Sequence, residues 1–544
     1  MSAFAPQSTI YLTTVDFDST YKHVRRFGSV EAQNQYFLTN RPCKTYTEYL
    51  TVRKNLPDGG FRSSVKVGEN IDVLRLWPVN YIFFQNANHS QKWFYAFITD
   101  LIYINENTTE IVFETDVFQT WQFDMKIQPS FVAREHSETD EFFENLAPEK
   151  FNIQDFHYNN GVTGGVFLKY NDRKWGYLVS ATNPRTSSSE SKGTTHSGIY
   201  QGLYFYFFES VNEVNACLSD FENQGTDAVQ SISLIPRFNL GNALVDTDGY
   251  VNQSTTAASE TKNIVYPVNS DGTAGITFEG FTPKNRKLYS SPFFNLIITN
   301  HNGEQAEYSI EDFPHFTDIE FSMKGDISLN PSVTLYPASY KGQLNDYDNG
   351  ISIPAFPQCS FNSDAYKLWL AKNQFGNTMN GIASAAAIIG GVVTLATGGA
   401  ALPVTAALSG IGAIGGGTMG VLNSFNQSYQ ASNLPNRVSG GSAGKTNLLT
   451  AIEQNDFCAY WRTIKRHHAE MIDDFFTMYG YQVNMIKTPN LYSRPKFNYV
   501  QTVDINIQGG IPADDMEKLR KIFDHGVTLW SYDAEIGDYT GNEV

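Results

Sequence analysis

The densest group of residues that could bind a metal or transfer a proton is His467-His-Ala-Glu470, followed by Asp473 and Asp474. On a helix, His467, Glu470 and Asp474 would share one face, and metal sites need such convergence of ligands. The spacing differs from the His-Glu-x-x-His pattern of zinc proteases. A solvated helix face with intrahelical ion pairs explains these residues better, and we predict neither a metal site nor a cofactor.

A second candidate is the run Arg134-Glu-His136-Ser-Glu138, which could supply acid and base groups. A general base must lie within hydrogen-bond reach of the proton that it removes. One carboxylate beside one histidine in a loop does not establish that geometry. The sequence therefore predicts no catalytic residues and a protein that is not an enzyme.

The elements that would position these residues are predicted to be mainly β-strands with some α-helix. Aromatic residues make up 14% of the chain, and aromatic side chains favour strands. Five strand-like runs follow one another at short intervals: Ile71–Trp77, Tyr81–Phe84, Trp93–Ile98, Leu101–Ile104 and Glu110–Phe118. This spacing predicts an antiparallel β-barrel or sandwich. Because few charges interrupt the runs, we expect the core to cover one face of the sheet and another subunit to cover the other.

Three stretches have the pattern of soluble helices. Apolar residues recur every three or four positions between Asn455 and Tyr479, which predicts one long amphipathic helix. Shorter helices are predicted over Asn212–Asn223 and from Pro512 to just before Gly526. The C-terminal part of the chain is thus expected to contain helices.

The chain contains no Asp, Glu, Lys or Arg from Asn373 to Asn436, and we call this stretch the uncharged segment. Each half, before and after Pro403, is about long enough to cross the ~30 Å hydrocarbon core of a bilayer as a helix. Its paired glycines penalise a helix in water by about 1 kcal/mol per residue, whereas small residues four positions apart let helices pack closely in lipid. We predict a long hydrophobic loop that inserts into a membrane conditionally. Its predicted membrane-insertion residues are Ile382, Ile388, Ile389, Val392, Val393, Leu395, Leu402, Pro403, Val404, Leu408, Ile411, Ile414, Met419, Val421 and Leu422.

Two other interpretations of the uncharged segment remain open at this point. An Ala/Gly-rich stretch can be a tightly packed core element of a large soluble protein, and two such halves can be permanent membrane spans.

Charge and cysteine content exclude several classes of protein. The formal net charge is −17, and such an acidic chain should not grip nucleic acid, because Lys and Arg supply most of that affinity. It could still line a passage through which DNA slides. The four cysteines lie far apart, which indicates neither a disulfide framework nor a zinc site. The first residues, Met-Ser-Ala-Phe-Ala-Pro, lack the pattern of a signal peptide, so we expect synthesis in a cytoplasm.

Several runs of residues resemble known proteins: Tyr81-Ile-Phe-Phe-Gln-Asn86, Lys92-Trp-Phe-Tyr-Ala-Phe97, Asp116-Val-Phe-Gln-Thr-Trp121, Pro129-Ser-Phe-Val132, Arg134-Glu-His136, Tyr479-Gly-Tyr481, Asn498-Tyr-Val-Gln-Thr502 and Ile511-Pro512. These runs are similar to those of one viral family, the tail knob or distal tail tube proteins of small short-tailed phages of Gram-positive bacteria (Picovirinae or Salasmaviridae type). The resemblance implies a homo-hexameric ring that forms a β-rich tube at the virion tail tip. It also implies hydrophobic loops that plug the tube and are released to help open the host membrane during genome ejection.

The resemblance and the residue patterns together predict five segments. Residues 1–140 would form an N-terminal tube β-domain, 141–265 an inserted outer domain with mobile loops, and 266–372 a second tube β-domain. Residues 373–436 would be the membrane-active loop, and 437–544 would complete the tube domains. Expected partners are five further copies of the chain, other tail proteins (the lower collar or proximal tail tube), the host membrane, and double-stranded viral DNA that passes without specific binding.

Two alternatives to a tail protein are kept. A pore-forming effector protein would share the membrane-active loop, but it should show a secretion signal or disulfides. A soluble enzyme would carry the Ala/Gly-rich stretch as buried core.

Overall fold

The computed structural model describes the chain with gaps. The described residues are 8–39, 43–49, 52–55, 61–86, 92–159, 162, 165, 167–168, 175–185, 195–196, 199–200, 202–223, 228–252, 258–268, 274–300, 303–354, 356, 358–360, 456–532 and 535–542. The chain divides into two compact units. Unit 1 comprises residues 1–154, 280–289 and 465–544, and unit 2 comprises residues 155–279 and 290–464.

Most described elements are strands. The first ten are β1 (Ser8–Thr13), β2 (His23–Arg25), β3 (Lys44–Tyr49), β4 (Val52–Asn55), β5 (Phe61–Val67), β6 (Tyr81–Asn86), β7 (Trp93–Asn105), β8 (Thr108–Thr115), β9 (Lys126–Ile127) and β10 (Ser130–Glu135). Then come β11 (Phe156–Asn159), β12 (Trp175–Ala181), β13 (Thr195–His196), β14 (Ile199–Tyr200), β15 (Tyr204–Phe208), β16 (Val229–Pro236), β17 (Ala258–Ile264), β18 (Phe294–Thr299), β19 (Gln305–Tyr308), β20 (Ile319–Gly325), β21 (Val333–Pro337), β22 (Ile351–Ile353) and β23 (Gln358–Ser360). The last five are β24 (Cys458–Ile464), β25 (Tyr481–Lys487), β26 (Phe497–Val503), β27 (Ile507–Gln508) and β28 (Val527–Trp530).

The helices are shorter and fewer than the strands in the described ranges. They are α1 (Val30–Leu38), α2 (Ile71–Leu76), α3 (Val117–Trp121), α4 (Val211–Asn223), α5 (Arg466–Tyr479) and α6 (Ala513–His525). The ladders are antiparallel except the pairing of β2 with β28. A mainly β fold with antiparallel sheets is therefore confirmed.

The larger sheet of unit 1 curls into a half-barrel. Its strand order is β3-β1-β6-β7-β8-β5-β4, so its first and last strands follow one another in sequence, and β3 also contacts β5. Successive residues of a strand face opposite sides of the sheet. Ile82 thus joins one buried cluster, with Leu74 of α2, while Tyr81 and Phe83 join a second cluster on the other side, with Phe37 of α1.

The prediction that another subunit covers the second face of this sheet is therefore corrected. Residues of the same chain, between Val15 and Phe37, cover that face. Phe37 stacks on Tyr81 with ring centroids 5.6 Å apart and lies 4.7 Å from Tyr95. Uncharged strands indicate two covered faces, but they do not indicate which chain provides the cover.

The second large sheet of unit 1 positions the site described below. Its order is β2-β28-β26-β10-β25, and α6 packs against β26. Val500, Leu519, Phe523 and Leu529 belong to the apolar core that this sheet shares with α6. The predicted helix that begins after Pro512 and ends before Gly526 is confirmed as α6.

Unit 2 contains three four-stranded sheets, with orders β11-β24-β18-β19, β15-β12-β16-β23 and β17-β20-β21-β22. The helix predicted over Asn212–Asn223 is confirmed as α4. In β12 and β15 every residue is buried, which agrees with the wholly aromatic sequence of β15.

Several element predictions are wrong. Trp93–Ile98 and Leu101–Ile104 belong to one strand, β7, rather than two. The run Glu110–Phe118 is a strand only to Thr115, because Val117 and Phe118 begin helix α3. Ile71–Leu76 is helix α2 rather than a strand, and the side chain of Asn70 caps it by accepting a hydrogen bond from Asp72 N at 2.8 Å. The long helix predicted from Asn455 starts only at Arg466, because Cys458–Ile464 is strand β24. The five-segment division of the chain stays a prediction.

Candidate functional site

The uncharged segment is attached to unit 2 through β23 and through residues 456–464, and we call these two stretches its base. β23 is the last strand in the order of its sheet, as far as the structure describes it, and pairs with β16 through Ile232↔Cys359 and Ser233↔Gln358. The Gln358 side chain also donates to Asn330 Oδ1 at 2.9 Å. The chain therefore leaves the described part of unit 2 from a hydrogen-bonded strand.

The returning part of the base is held by a buried carboxylate. Asp456 Oδ1 accepts hydrogen bonds from Leu168 N and from Phe457 N, the latter at 2.7 Å. Two residues after Phe457, Ala459 N donates to Gly165 O at 2.8 Å. Because a buried carboxylate needs donors to offset its lost hydration, Asp456 fixes the position at which the chain rejoins the sheet.

β24 then enters the middle of its sheet, between β11 and β18. Its Trp461 is 1% exposed and stacks on Phe294 with centroids 5.3 Å apart. Cys458 at the start of the strand is not a nucleophile, because burial, together with the charge of Asp456, raises the pKa of its thiol to about 11. Both stretches of the base are thus ordered sheet structure rather than linkers.

The predicted membrane-insertion residues, from Ile382 to Leu422, lie outside the described residues. So do the other residues of 361–455. Among the residues that are described, no helix is both long and apolar enough to cross a membrane.

Unit 1 contains a polar cavity of about 230 Å³ that brings together one of the two sequence candidates, His136, and a segment that the sequence did not single out. The cavity is lined by His136, Thr139, Asp140, Glu141, Lys284, Asn285, Arg286, Thr477, Arg494 and Asn542. Residues 284–286 belong to the stretch 280–289, which groups with unit 1 although both of its neighbours along the chain belong to unit 2. We call residues 280–289 the strap.

His136 is a structural residue rather than an acid–base catalyst. Its Nε2 lies 3.0 Å from Thr477 O, and its Nδ1 accepts a hydrogen bond from Tyr499 N at 2.8 Å. Burial lowers the pKa of its imidazole to about 4, and the cations of Arg494 and Arg134 act in the same direction. In the neutral form of the ring, both nitrogens are therefore engaged in hydrogen bonds.

The neighbours of His136 in sequence are also engaged in structure. Arg134 donates to Gly480 O at 2.7 Å and forms an ion pair with Glu149. Glu135 is 2% exposed, accepts from Asn490 N at 3.1 Å and pairs with Lys487. The run therefore ties β10 to α5 and to the residues around β25.

The strap is held by carboxylates from distant parts of unit 1. Asp473 Oδ1 accepts from Lys284 N at 3.1 Å and from Asn285 N at 2.9 Å, and Asp140 Oδ2 accepts from Arg286 N at 3.0 Å. Burial raises the pKa of both carboxyl groups, and these hydrogen bonds oppose that rise. Sequence reasoning missed the strap, because Lys284-Asn-Arg-Lys287 has the pattern of an ordinary solvated loop.

The first sequence candidate is divided between two environments. Arg466 Nε pairs with Glu470 Oε1 at 2.7 Å, which confirms an intrahelical ion pair on the exposed face of α5. Asp474 is exposed on the same helix, whereas Asp473 is 3% exposed and binds the strap. Asp473, which binds the strap, was not among the residues predicted to share the ligand face. The prediction of no metal site stays a prediction.

Comparisons with known proteins agree with this architecture. The family model for the C-terminal domain of tail knob protein gp9 of Bacillus phage phi29 matches residues 256–543, which is more than half of the chain. A second family model, the N-terminus of the caudoviral major tail protein, matches residues 7–126 and so covers most of the half-barrel.

Relatives match over nearly the whole length. Tail knob protein gp9 of Bacillus phage B103 is 26% identical, with 98% of each chain covered, and its counterpart in phage phi29 is 26% identical, with 97% of each covered. Among solved structures, the tail knob protein gp12 of bacteriophage C1 has a TM-score of 0.59 and 15% identity, with 98% of each chain covered. At that identity the structural likeness shows the fold alone.

These findings confirm the predicted class of protein. The relatives are tail knob proteins, which are structural virion components and not enzymes, so the predictions of a structural tail protein, a virion location and no enzymatic activity are confirmed. The chain belongs to the family of the tail knob protein gp9 of Bacillus phage phi29, and it is a structural component of the tail knob of a short-tailed phage.

Proposed function

We propose that six copies of this chain form the distal tail tube, and that their uncharged segments plug the tube and then enter the host membrane to open a path for the genome. The observation that carries this proposal is the uncharged segment itself: residues 373–436 contain no Asp, Glu, Lys or Arg, in a chain whose net charge is −17. A sheltered place inside a particle and a bilayer are two environments that such a segment tolerates.

The base supports the proposal from the structural side. β23 is paired to β16, and β24 lies in the middle of its sheet with Trp461 buried. We infer that these paired strands hold both ends of the stretch, so that the segment can change its surroundings while unit 2 keeps its fold. The exit of the chain is therefore compatible with a release step.

The size of the pore is consistent with passage of duplex DNA. Six segments that each form a helical hairpin would supply twelve helices, with neighbours about 9–10 Å apart. A single ring of this kind has a mean diameter of about 36 Å, and subtraction of one helix thickness of about 10 Å leaves about 26 Å. An acidic protein surface would limit adhesion of the DNA.

Assembly into a tube also requires a neighbour in the tail. We infer that the lower collar or proximal tail tube is that neighbour, with the knob at the distal end. Two family models that both describe phage tail proteins, one for residues 7–126 and one for residues 256–543, support such an assembly.

Liposome leakage tests the membrane part of the proposal. Assembled wild-type protein should release an entrapped dye, and Ile388→Asp or Ile389→Asp should abolish release while rings still form, since a charge near mid-bilayer opposes insertion by about 2.5–3.5 kcal/mol per copy. Gln427→Glu adds the same charge in the polar flank of the segment and is the matched control, with leakage retained. Leakage by the Ile388→Asp protein at the wild-type level would contradict the proposal.

Deletion of residues 381–422 separates membrane insertion from a core role. The proposal predicts that the deleted protein folds and forms rings but does not permeabilise liposomes. Collapse of unit 2 on deletion would show that the stretch is buried core.

A further inference from the structure

The side chain of His136 takes the place of a main-chain group in the sheet of unit 1. β10 pairs with β26 up to Glu135↔Val500, so the next opposed pair is His136 and Tyr499. In an antiparallel ladder, a hydrogen-bonded pair exchanges two N–H···O=C bonds. Here His136 N donates to Tyr499 O at 3.2 Å, but Tyr499 N donates to the imidazole Nδ1 at 2.8 Å.

The carbonyl that would normally complete the pair is used elsewhere. His136 O accepts from Ser493 Oγ at 3.0 Å. The imidazole therefore lets the chain turn away from β26 at this point while the Tyr499 N–H group keeps an acceptor. A buried N–H group that lost this acceptor would destabilise the folded state.

This arrangement fixes the protonation state of the ring. Nδ1 accepts a hydrogen bond and so carries no hydrogen, which makes Nε2 the donor to Thr477 O at 3.0 Å. A second proton on Nδ1 would point at the Tyr499 N–H group. Both nitrogens cannot keep their present partners in the imidazolium form.

The surroundings also oppose a positive charge on His136. Arg134 precedes it on β10, and Arg494 lies in the cavity wall. The strap adds Lys284 and Arg286 to the same wall. The imidazole also lies in a T-shaped arrangement with the Phe497 ring, with ring centroids 5.4 Å apart, and His136 is buried.

Two acidic groups face the same cavity, and neither is placed to neutralise the ring. Asp140 accepts from Tyr481 Oη at 2.7 Å and from Arg286 N at 3.0 Å, while Glu141 pairs with the Arg286 guanidinium. Both nitrogens of His136 bond to main-chain groups and not to a carboxylate. Glu149 pairs with Arg134, and Asp473 binds the strap, so these two carboxylates do not bond to the imidazole either.

We propose that His136 is an acid-sensitive latch: its protonation releases Tyr499 N–H and opens the junction of β10, β26 and α5 in unit 1. The latch is closed at neutral pH, where the imidazole is neutral. It opens as the pH falls, because the unfolded or open chain takes up a proton that the closed sheet excludes.

The size of the effect follows from proton linkage. The imidazole pKa is 6.5 in an unstructured chain and about 4 in the folded protein. The open state therefore binds more protons than the closed state between these values, and stability falls with decreasing pH across that window. The constant for opening should rise about 30-fold between pH 7.5 and pH 5.

Hydrogen exchange of the peptide Phe497–Val503, corrected for the intrinsic pH dependence of exchange, tests the latch in the full-length protein. Wild-type protection of this peptide should fall about 30-fold from pH 7.5 to pH 5, and protection of Cys458–Ile464 in unit 2 is the internal reference. In His136→Gln the side-chain oxygen still accepts from Tyr499 N but does not titrate, so the fall should disappear. His525→Gln, at an exposed site on α6, should behave as wild type.

Two results would overturn the proposal. One is equal corrected protection of Phe497–Val503 at both pH values in the wild-type protein, which needs no variant to fold. The other is a fall of the same size in His136→Gln as in the wild type.

Discussion

Asp473 of α5 and Asn285 of the strap are joined by three hydrogen bonds, although they lie 188 positions apart in sequence. Asp473 Oδ1 accepts from Asn285 N and from Asn285 Nδ2, both at 2.9 Å, and Asp473 O accepts from Asn285 Nδ2 at 3.0 Å. A single buried carboxylate thus satisfies a stretch of main chain that has no strand partner of its own. Asp473 thereby holds the strap, a segment from the middle of the sequence, in unit 1.

Replacement of Asp473 by Ala should lower the free energy of unfolding of unit 1 by about 3 kcal/mol. The change leaves the main-chain N–H groups of Lys284 and Asn285 without their acceptor, and each buried unsatisfied group destabilises by about 1–3 kcal/mol. The Asn285 amide keeps Asp473 O and Thr477 Oγ1 as acceptors. Asp474→Ala, on the adjacent exposed position, should change it by less than about 0.5 kcal/mol. Urea unfolding followed by tryptophan fluorescence measures both variants. Equal effects of the two variants would mean that the strap is not held as described.

Gly480 lies where the helix α5 ends and β25 begins, with φ of +65°. A Cβ at this position would lie 2.2 Å from Glu135 O and 2.6 Å from His136 N, which are main-chain atoms that cannot rotate away. Gly480→Ala should therefore destabilise unit 1 by about 3 kcal/mol.

Gly541 separates backbone strain from collision in this test. Its φ is +68°, but nothing lies within 4 Å of a Cβ built there. Gly541→Ala should show only the strain of a left-handed conformation, about 1 kcal/mol. Equal stability of the two alanine variants in thermal unfolding would contradict the claim that Gly480 lies too close to Glu135 and His136 to accept a Cβ.

Glu149 is the shared partner of two cations, the buried Lys287 and the partly buried Arg134. It accepts from Lys287 Nζ at 2.7 Å and from Gln482 N at 2.9 Å, and it pairs with Arg134. Because Glu149→Gln leaves a buried ammonium without a counter-charge, it should destabilise unit 1 by about 3–5 kcal/mol.

An exposed ion pair provides the comparison for Glu149. Glu209 pairs with Arg237 at 2.6 Å, and their side chains are 37% and 51% exposed. Glu209→Gln should change stability by less than about 1 kcal/mol, as exposed pairs generally do. A loss at Glu149 no larger than at Glu209, measured by urea unfolding, would argue against a buried cluster.

Asp116 should make unit 1 less stable as the pH rises from about 4 to about 6. Burial raises the pKa of its carboxyl to about 6, although Gln119 N and Tyr81 Oη donate to it. The folded state therefore binds more protons than the unfolded state between 3.8 and about 6, and the stabilising contribution present below 3.8 is lost as the pH passes about 6.

Asp116→Asn removes this titration and keeps an acceptor for Gln119 N. Relative to wild type, the variant should gain about 2 kcal/mol between pH 4 and pH 7. The measurement is the difference in unfolding free energy between variant and wild type at each pH. A difference that does not vary with pH would show that Asp116 is ionised in the folded protein throughout this range.

Sequence patterns predicted the β-rich class and the helices α4 and α6, because apolar period and capping are local signals. They failed where a local signal competed with a tertiary one. Ile71–Leu76 alternates like a strand, but Asn70 caps a helix that directs Leu74 into the half-barrel core and leaves Leu76 86% exposed. In β24, Cys458, Trp461 and Ile464 have helical spacing, whereas the buried residues Ala459, Trp461 and Thr463 follow the period of a strand.

The polar site of unit 1 could not be predicted from the sequence for a different reason. The donors of the strap and their acceptors, Asp140 and Asp473, are separated by more than a hundred positions. His136 was singled out, but as a possible acid–base group. Only the position of Tyr499 N shows that its imidazole replaces a main-chain acceptor.

The location of the uncharged segment before and after genome release tests the central claim most directly. Cryo-electron microscopy of intact particles, and of particles that have emptied their genome onto liposomes, would locate residues 373–436 in both states. We predict that the segment occupies the channel of full particles and lies in the bilayer after release, with the sheets of the tube unchanged. Emptied particles that still hold the segment inside the channel would contradict this account.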